Sequence, residues 1–215
     1  MKSILALIQL EFIMEMRRKY ALGGAFLYVL STVFIIYASL QNFKELPWNA
    51  LFWIVALFIA VNAIAKSFAV EQDGTRLFLY QMASGVQYII AKMIYNVLLV
   101  FVLFSLALLA FMLFLGIPIL QFNLFILTII LGSLGLGIVL TFISAIANKT
   151  DSSAVFTAIL GFPVLLPILL SLIKLTAASF STEVIDVSKD IVILLAIDAI
   201  LAGLILILFP LIWKD

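Results

Sequence analysis

Residues 123–147 read NLFILTIILGSLGLGIVLTFISAIA, a run without a single charged side chain. A second run, DIVILLAIDAILAGLILILFPLIW, carries only two acids, Asp190 and Asp198. Runs this long cannot be hidden inside an ordinary small domain. They match the roughly 20 apolar residues that an α-helix needs to cross the hydrocarbon core of a bilayer. Composition agrees: 67% of the 215 residues are hydrophobic and mean hydropathy is +1.36, against about 45–50% apolar residues in a typical soluble domain. In lipid every backbone N–H and C=O must be satisfied internally, which leaves helices or closed barrels. A barrel would show segments of about ten alternating residues, whereas these runs are continuous. The fold class is therefore all-α, a polytopic membrane protein.

Six spans are predicted, over about 21–40, 50–69, 90–115, 123–147, 154–175 and 190–212, within a single domain covering 1–215. The third is long, so it tilts or begins before the membrane. The first twenty residues, MKSILALIQLEFIMEMRRKY, carry too many charges to span. Read as a helix, they place Glu11, Glu15 and Arg18 on one face, which suits an interfacial helix lying along one leaflet. Gly23-Gly24 would then allow a bend into the first span. QNFKELPW is expected to be a tight connection with Trp48 as an interfacial anchor, and TAASFSTEVIDVSKD a longer loop with room for one short amphipathic helix.

Orientation follows from lysine and arginine near the span ends. With the N-terminus in the cytoplasm, that side holds Lys2, Arg17, Arg18, Lys19, Lys66, Arg76, Lys92, Lys149 and Lys214, and the other side Lys44, Lys174 and Lys189. Nine against three places both termini in the cytoplasm. The N-terminus shows no cleavable signal pattern.

The inventory excludes several chemistries. Net charge is only +1, and histidine and cysteine are absent. There is no global field for nucleic acid, no Cys/His zinc site and no histidine base for an intramembrane serine protease. No G-x-x-x-x-G-K-[ST] loop is present to hold a nucleotide phosphate. No catalytic or metal-binding residue is assigned. GSLGLG at 132–137 lies mid-span, where small residues let helices approach closely.

One polar interruption stands out: VEQDGTRLFLYQMASG, Val70 to Gly85, between the second and third spans on the cytoplasmic side. Leu77, Phe78 and Tyr80 are too apolar for a free linker, and RLFLYQM is compatible with a helix. Gly74 and Gly85 flank it. A short surface helix with apolar groups free for contact is what a transporter without its own nucleotide site needs in order to receive a cytosolic motor. Two further features invite attention. Pro163 and Pro167 lie inside the fifth span, where they read equally as a tolerated kink or a hinge. Asp198 lies about 12 Å beyond Asp190 along its helix at 1.5 Å per residue. An acid at such depth is a functional candidate, or else it is protonated or hydrogen-bonded to a Ser or Thr of another span.

FAVEQDGTRLFLYQMASGVQYIIAKMIYN (Phe68 to Asn96) resembles the cytoplasmic loop of the B-type permease subunit of the cytochrome c maturation ABC system, the heme exporter protein CcmB family. KYALGGAFLYVLSTVFIIY (Lys19 to Tyr37) resembles that family's first span. ILGFPVLLPILL (Ile159 to Leu170), with its P-x-x-x-P, resembles the fifth. The resemblance covers nearly the whole chain. It departs at Ser84-Gly85, where many members have Ser-Pro.

The resemblance implies a non-catalytic permease subunit in the bacterial inner membrane, homodimeric within its complex. A separate CcmA-like ATPase would dock on a coupling helix including Glu71, Gln72, Asp73, Gly74, Arg76, Leu77, Phe78 and Tyr80. CcmC-like and CcmD-like membrane proteins and a CcmE-like heme chaperone would be partners, with ATP hydrolysis driving heme export or release of the loaded chaperone. A permease for another cargo, such as a lipid or drug, and a non-transporting scaffold for heme-handling partners are the alternatives. Heme iron is mostly held by His, Cys, Met or Tyr. With no His or Cys here, no cofactor is expected on this chain alone, and heme would be ligated by a partner.

Overall fold

The structure, a computed structural model, describes residues 2–17, 19–39, 45–69, 84–147, 153–183 and 185–213. These form seven helices: α1 (Lys2–Arg17), α2 (Lys19–Ser39), α3 (Glu45–Ala69), α4 (Gly85–Leu115), α5 (Phe122–Ala147), α6 (Ser153–Ser179) and α7 (Ser188–Trp213). No strand occurs among the described residues. Five stretches are long and apolar enough to cross a membrane: Pro47–Ala65, Gly85–Leu115, Phe122–Ala147, Gly161–Ser179 and Ser188–Pro210. They correspond to the second to sixth predicted spans. The first predicted span is also helical, as α2, but its described apolar stretch, Gly23–Ser39, is shorter than the other five.

α5 is the centre of the bundle and packs on α3, α4, α6 and α7. Its glycines explain how one helix serves four neighbours. A Cβ on Gly132 would lie 2.8 Å from the Trp53 ring of α3, and one on Gly137 would lie 2.7 Å from the Val97 side chain of α4. A Cβ on Gly135 would lie 3.0 Å from the Asp198 carboxyl of α7 and 3.4 Å from Ile168 of α6. The packing role expected for GSLGLG thus holds at each of its three glycines.

At one end of the bundle, aromatic side chains from α3, α4, α5 and the turn after α6 close the core. Trp48 stacks on Phe52 at 5.4 Å and meets Phe111, Phe125 and Phe180 edge-on at 5.2, 6.0 and 5.6 Å. Such offset and edge-to-face pairs suit the ring quadrupoles. Trp48 is therefore not the interfacial anchor expected from sequence: it is 1% exposed, and its indole N–H donates to the Gly116 carbonyl. Pro47 does not stop α3, because it falls in the helix's first turn, where backbone N–H groups lack helical partners anyway.

Two further expectations are corrected. α2 runs unbroken through Gly23 and Gly24, so the glycines do not bend the chain there. Their surroundings are open: a Cβ added at either position would meet nothing within 4 Å. The segment between α6 and α7 holds no helix among its described residues; α6 simply continues to Ser179. Gly85 opens α4, with Ser84 as its N-cap. The Ser84 hydroxyl accepts from the Gln87 N–H and the Gln87 side chain accepts from the Ser84 N–H, each at 3.3 Å. This reciprocal pair is a capping box. The first helical position, occupied here by glycine, is one that also tolerates proline well.

Candidate functional site

Polar groups inside the bundle fall into three sets. The first is at the end where α4 begins. Lys92 of α4 is 1% exposed and donates to the Glu11 carboxylate of α1 at 2.8 Å. The ammonium also lies 5.9 Å from the centre of the Tyr88 ring. Next to it, Phe12 of α1 meets Tyr95 of α4 edge-on at 5.5 Å, and Phe209 of α7 stacks on Tyr88 at 5.8 Å. Residues 88, 92, 95 and 96 recur at helical spacing, so one face of α4 receives both α1 and the end of α7. A buried ion pair is a weak source of net stability, but it fixes register, because losing one partner strands a charge.

The second set spans the opposite half of the bundle. Asn49 of α3 donates to the Ile173 carbonyl at 2.8 Å, and the Trp53 indole N–H donates to the Thr176 hydroxyl at 2.9 Å. The Ser179 carbonyl accepts from the backbone N–H groups of Leu120 and Gln121 at 3.0 and 2.9 Å. The Gln121 side chain donates to the Ser181 and Glu183 carbonyls at 2.8 and 3.0 Å. The last two turns of α6 are thereby clamped to α3 and to the α4–α5 connection. Pro163 and Pro167 precede this clamp within a continuous α6. Each lacks the N–H that would bond four residues back, so the carbonyls of Ile159 and Pro163 lose their helical partner. At the start of α7, Asp186 accepts from both the hydroxyl and the backbone N–H of Ser188. These two bonds, the hydroxyl first, hold its carboxyl below the usual range.

The third set is mid-bundle. Asn96 donates to the Thr141 hydroxyl at 2.9 Å, and that hydroxyl donates to the Gly137 carbonyl at 2.6 Å. Asp198 is 6% exposed, and neither of its oxygens has a hydrogen-bond partner. The Ser or Thr partner considered from sequence is absent among the described residues.

The structure thus gathers Asp198 into the core and leaves Pro163 and Pro167 partly outward, on the clamped helix. Glu71, Gln72, Asp73, Gly74, Arg76, Leu77, Phe78 and Tyr80 lie outside the described residues. Sequence reasoning missed the Glu11–Lys92 pair. Each residue alone reads as a surface charge, and the signal that remained was Lys92 lying on the same helical face as Tyr88, Tyr95 and Asn96. No group of three or more acidic residues able to hold a metal occurs among the described residues.

An all-helical bundle with five apolar helices of spanning length and a glycine-lined central helix is compatible with a multi-pass membrane protein. The chain belongs to the CcmB protein family, whose model matches residues 2–211. No curated protein matches the chain. Membership makes it a membrane component of the ABC-type heme export system of cytochrome c maturation, a system whose other components include an ATPase and CcmC.

Proposed function

We propose that this chain is the transmembrane subunit that couples ATP hydrolysis in a separate ATPase to heme export, or to release of a heme-loaded chaperone, during cytochrome c maturation. The observation that carries the reading is the family match over residues 2–211. In the bacterial inner membrane the subunit has six spans, α2 to α7, with α1 along the cytoplasmic leaflet and both termini cytoplasmic. α2, at 21 residues, measures roughly 31 Å at 1.5 Å per residue, enough for a core of about 30 Å. Leu5, Phe12 and Ile13 on α1 are exposed and apolar, as a helix lying in the interface requires. Lys92 is buried against Glu11 and drops out of the charge count. Eight against three still favours this orientation. Because the chain has no cysteine, a single cysteine at position 76 should react with impermeant maleimide only when the cytoplasmic face is open. Labelling from outside intact cells would reverse the orientation.

The segment 71–80 docks the CcmA-like ATPase. It joins α3 to α4 at the end where α1 is pinned to α4, so a push there reaches α1 and α4 together. The prolines of α6 act as the hinge between its clamped end and the rest of the helix. A CcmC-like protein, a CcmD-like protein and a CcmE-like chaperone complete the assembly, in which this subunit is a homodimer. Heme ligation belongs to a partner, because His and Cys supply most protein ligands for heme iron and this chain has neither. Heme added to the purified chain should give no sharp low-spin absorption spectrum. A stoichiometric one lost on changing a single Met or Tyr would make this subunit a heme carrier.

Deleting the gene from its host should remove covalently bound heme from the c-type cytochromes, measured by heme staining of the separated proteins, and a plasmid copy should restore it. Normal heme attachment in the deletion strain would contradict the reading and favour a permease for another cargo.

A further inference from the structure

Asp198 is ten residues from the start of α7, about 15 Å along the helix. That is half the thickness of a hydrocarbon core of about 30 Å. It is 6% exposed, and both carboxyl oxygens are buried without a hydrogen-bond partner. They face Gly135 of α5: a Cβ there would lie 3.0 Å from one oxygen and 3.6 Å from the other. The Ile168 methyl group of α6 lies 3.4 Å from that same Cβ position. We propose that Asp198, set against the Gly135 notch, is an intramembrane proton-binding site whose occupancy decides whether α7 stays packed on α5.

The surroundings select the ligand. A desolvated Ca²⁺ or Mg²⁺ requires about six or more oxygen ligands, and neither oxygen of this carboxyl has a polar partner within hydrogen-bond reach. A proton needs only one oxygen. Nor is there a counter-ion among the described residues. The helices packed on α7 are α4, α5 and α6. α5 has no charged residue. The one charge on the described part of α6, Lys174, reaches Asp190 at 3.4 Å. On α4, Lys92 is held by Glu11 at 2.8 Å, while Tyr88 and Tyr95 are engaged with Phe209 and Phe12. On α7 itself, Lys189 and Asp190 lie in the first turn, more than two turns away.

An ionised carboxylate in this position would be a buried, unpaired charge, which costs several kcal/mol. A bound proton removes that charge, so the packing described here is that of the loaded site. Losing the proton favours separation of α7 from the notch and entry of water. α7 is the least enclosed of the five spanning-length helices, with Val192, Ile193, Ile200 and Ile207 outward, whereas α6 is clamped to α3. This site does not depend on the identity of the cargo or of the ATPase, so its test stands apart from theirs.

The experiment is infrared spectroscopy of the full chain in lipid nanodiscs with ¹³C-labelled aspartate, combined with hydrogen exchange of the α7 amides. At neutral pH the wild type should show a protonated-carboxyl band that is absent from Asp198→Asn. Raising the pH should abolish the band and raise exchange in α7 together, while exchange in Asp198→Asn stays flat. Gly135→Ala keeps the acid but brings a methyl against it, so its band should disappear at lower pH than in the wild type. Sodium or potassium chloride added at constant pH should leave the band unchanged. The proposal is overturned by an ionised Asp198 at neutral pH, by loss of the band without a change in α7, or by a band that alkali cations remove.

Discussion

Lys92→Met is expected to release α1 from the bundle. The Glu11 carboxylate would lose the ammonium it meets at 2.8 Å in a site where Lys92 is 1% exposed. Removing one partner of a buried pair typically costs about 3–5 kcal/mol. The lower figure applies here, because an undocked α1 can carry Glu11 back to water. About 3 kcal/mol is more than a hundredfold in the docking equilibrium. Hydrogen exchange of residues 2–17 measures it: slow in the wild type and fast in Lys92→Met, with α5 unchanged. The double variant Glu11→Leu/Lys92→Met should restore most of the protection, since a buried pair can be replaced by apolar groups of similar size at little cost. Fast exchange in the double variant as well would mean that the apolar contacts around the pair are insufficient to hold α1.

The effect matters because of position. α1, the start of α4 and the end of α7 converge on Tyr88, Lys92 and Tyr95, a few residues beyond the segment assigned to ATPase docking. A pinned α1 turns the base of α4 into a broad, stiff lever. The opposite end is held by the hydrogen bonds of Asn49 and Trp53 to α6 and by aromatic packing. Motion driven from the docking segment would then be taken up between these two fixed regions, at the level of Pro163, Pro167 and Asp198.

Much of this architecture is legible in the amino-acid sequence. α3 to α7 are legible because a spanning helix must be continuously apolar, and lipid leaves the backbone no other satisfied conformation except a closed barrel. The glycines of α5 are legible as points of close approach, but nothing in GSLGLG says that Gly132 meets Trp53, Gly135 meets Asp198 and Gly137 meets Val97. Those partners are set by helix rotation, which a uniformly apolar helix does not encode. Trp48 misleads for a related reason. Tryptophan near a span end suits both a lipid interface and an aromatic core, and only the tertiary fold brings Phe111, Phe125 and Phe180 to it. Glu11 and Lys92 are 81 positions apart, and each resembles an ordinary surface charge. The Ser84 cap is within reach of sequence, since Ser84 and Gln87 have the spacing of a capping box, but a glycine at position 85 reads as readily as the end of one helix as the start of the next.

On the proposed function, this subunit receives the force of a separate ATPase through residues 71–80. Leu77→Asp tests it. An apolar contact at the centre of an interface commonly contributes about 2–4 kcal/mol, and an acid placed there must also be desolvated on docking. Together these should weaken ATPase binding roughly 30- to 1,000-fold, while leaving the spans folded, because the change lies between α3 and α4 rather than within them. The measurement is affinity purification of the tagged chain from its host, with the amount of copurified ATPase and its rate of ATP turnover as readouts. The account predicts that the wild type brings down an ATPase and a CcmC-like protein, and that Leu77→Asp retains the CcmC-like protein but loses the ATPase and its turnover. ATPase recovered with Leu77→Asp at the wild-type yield and turnover would contradict it.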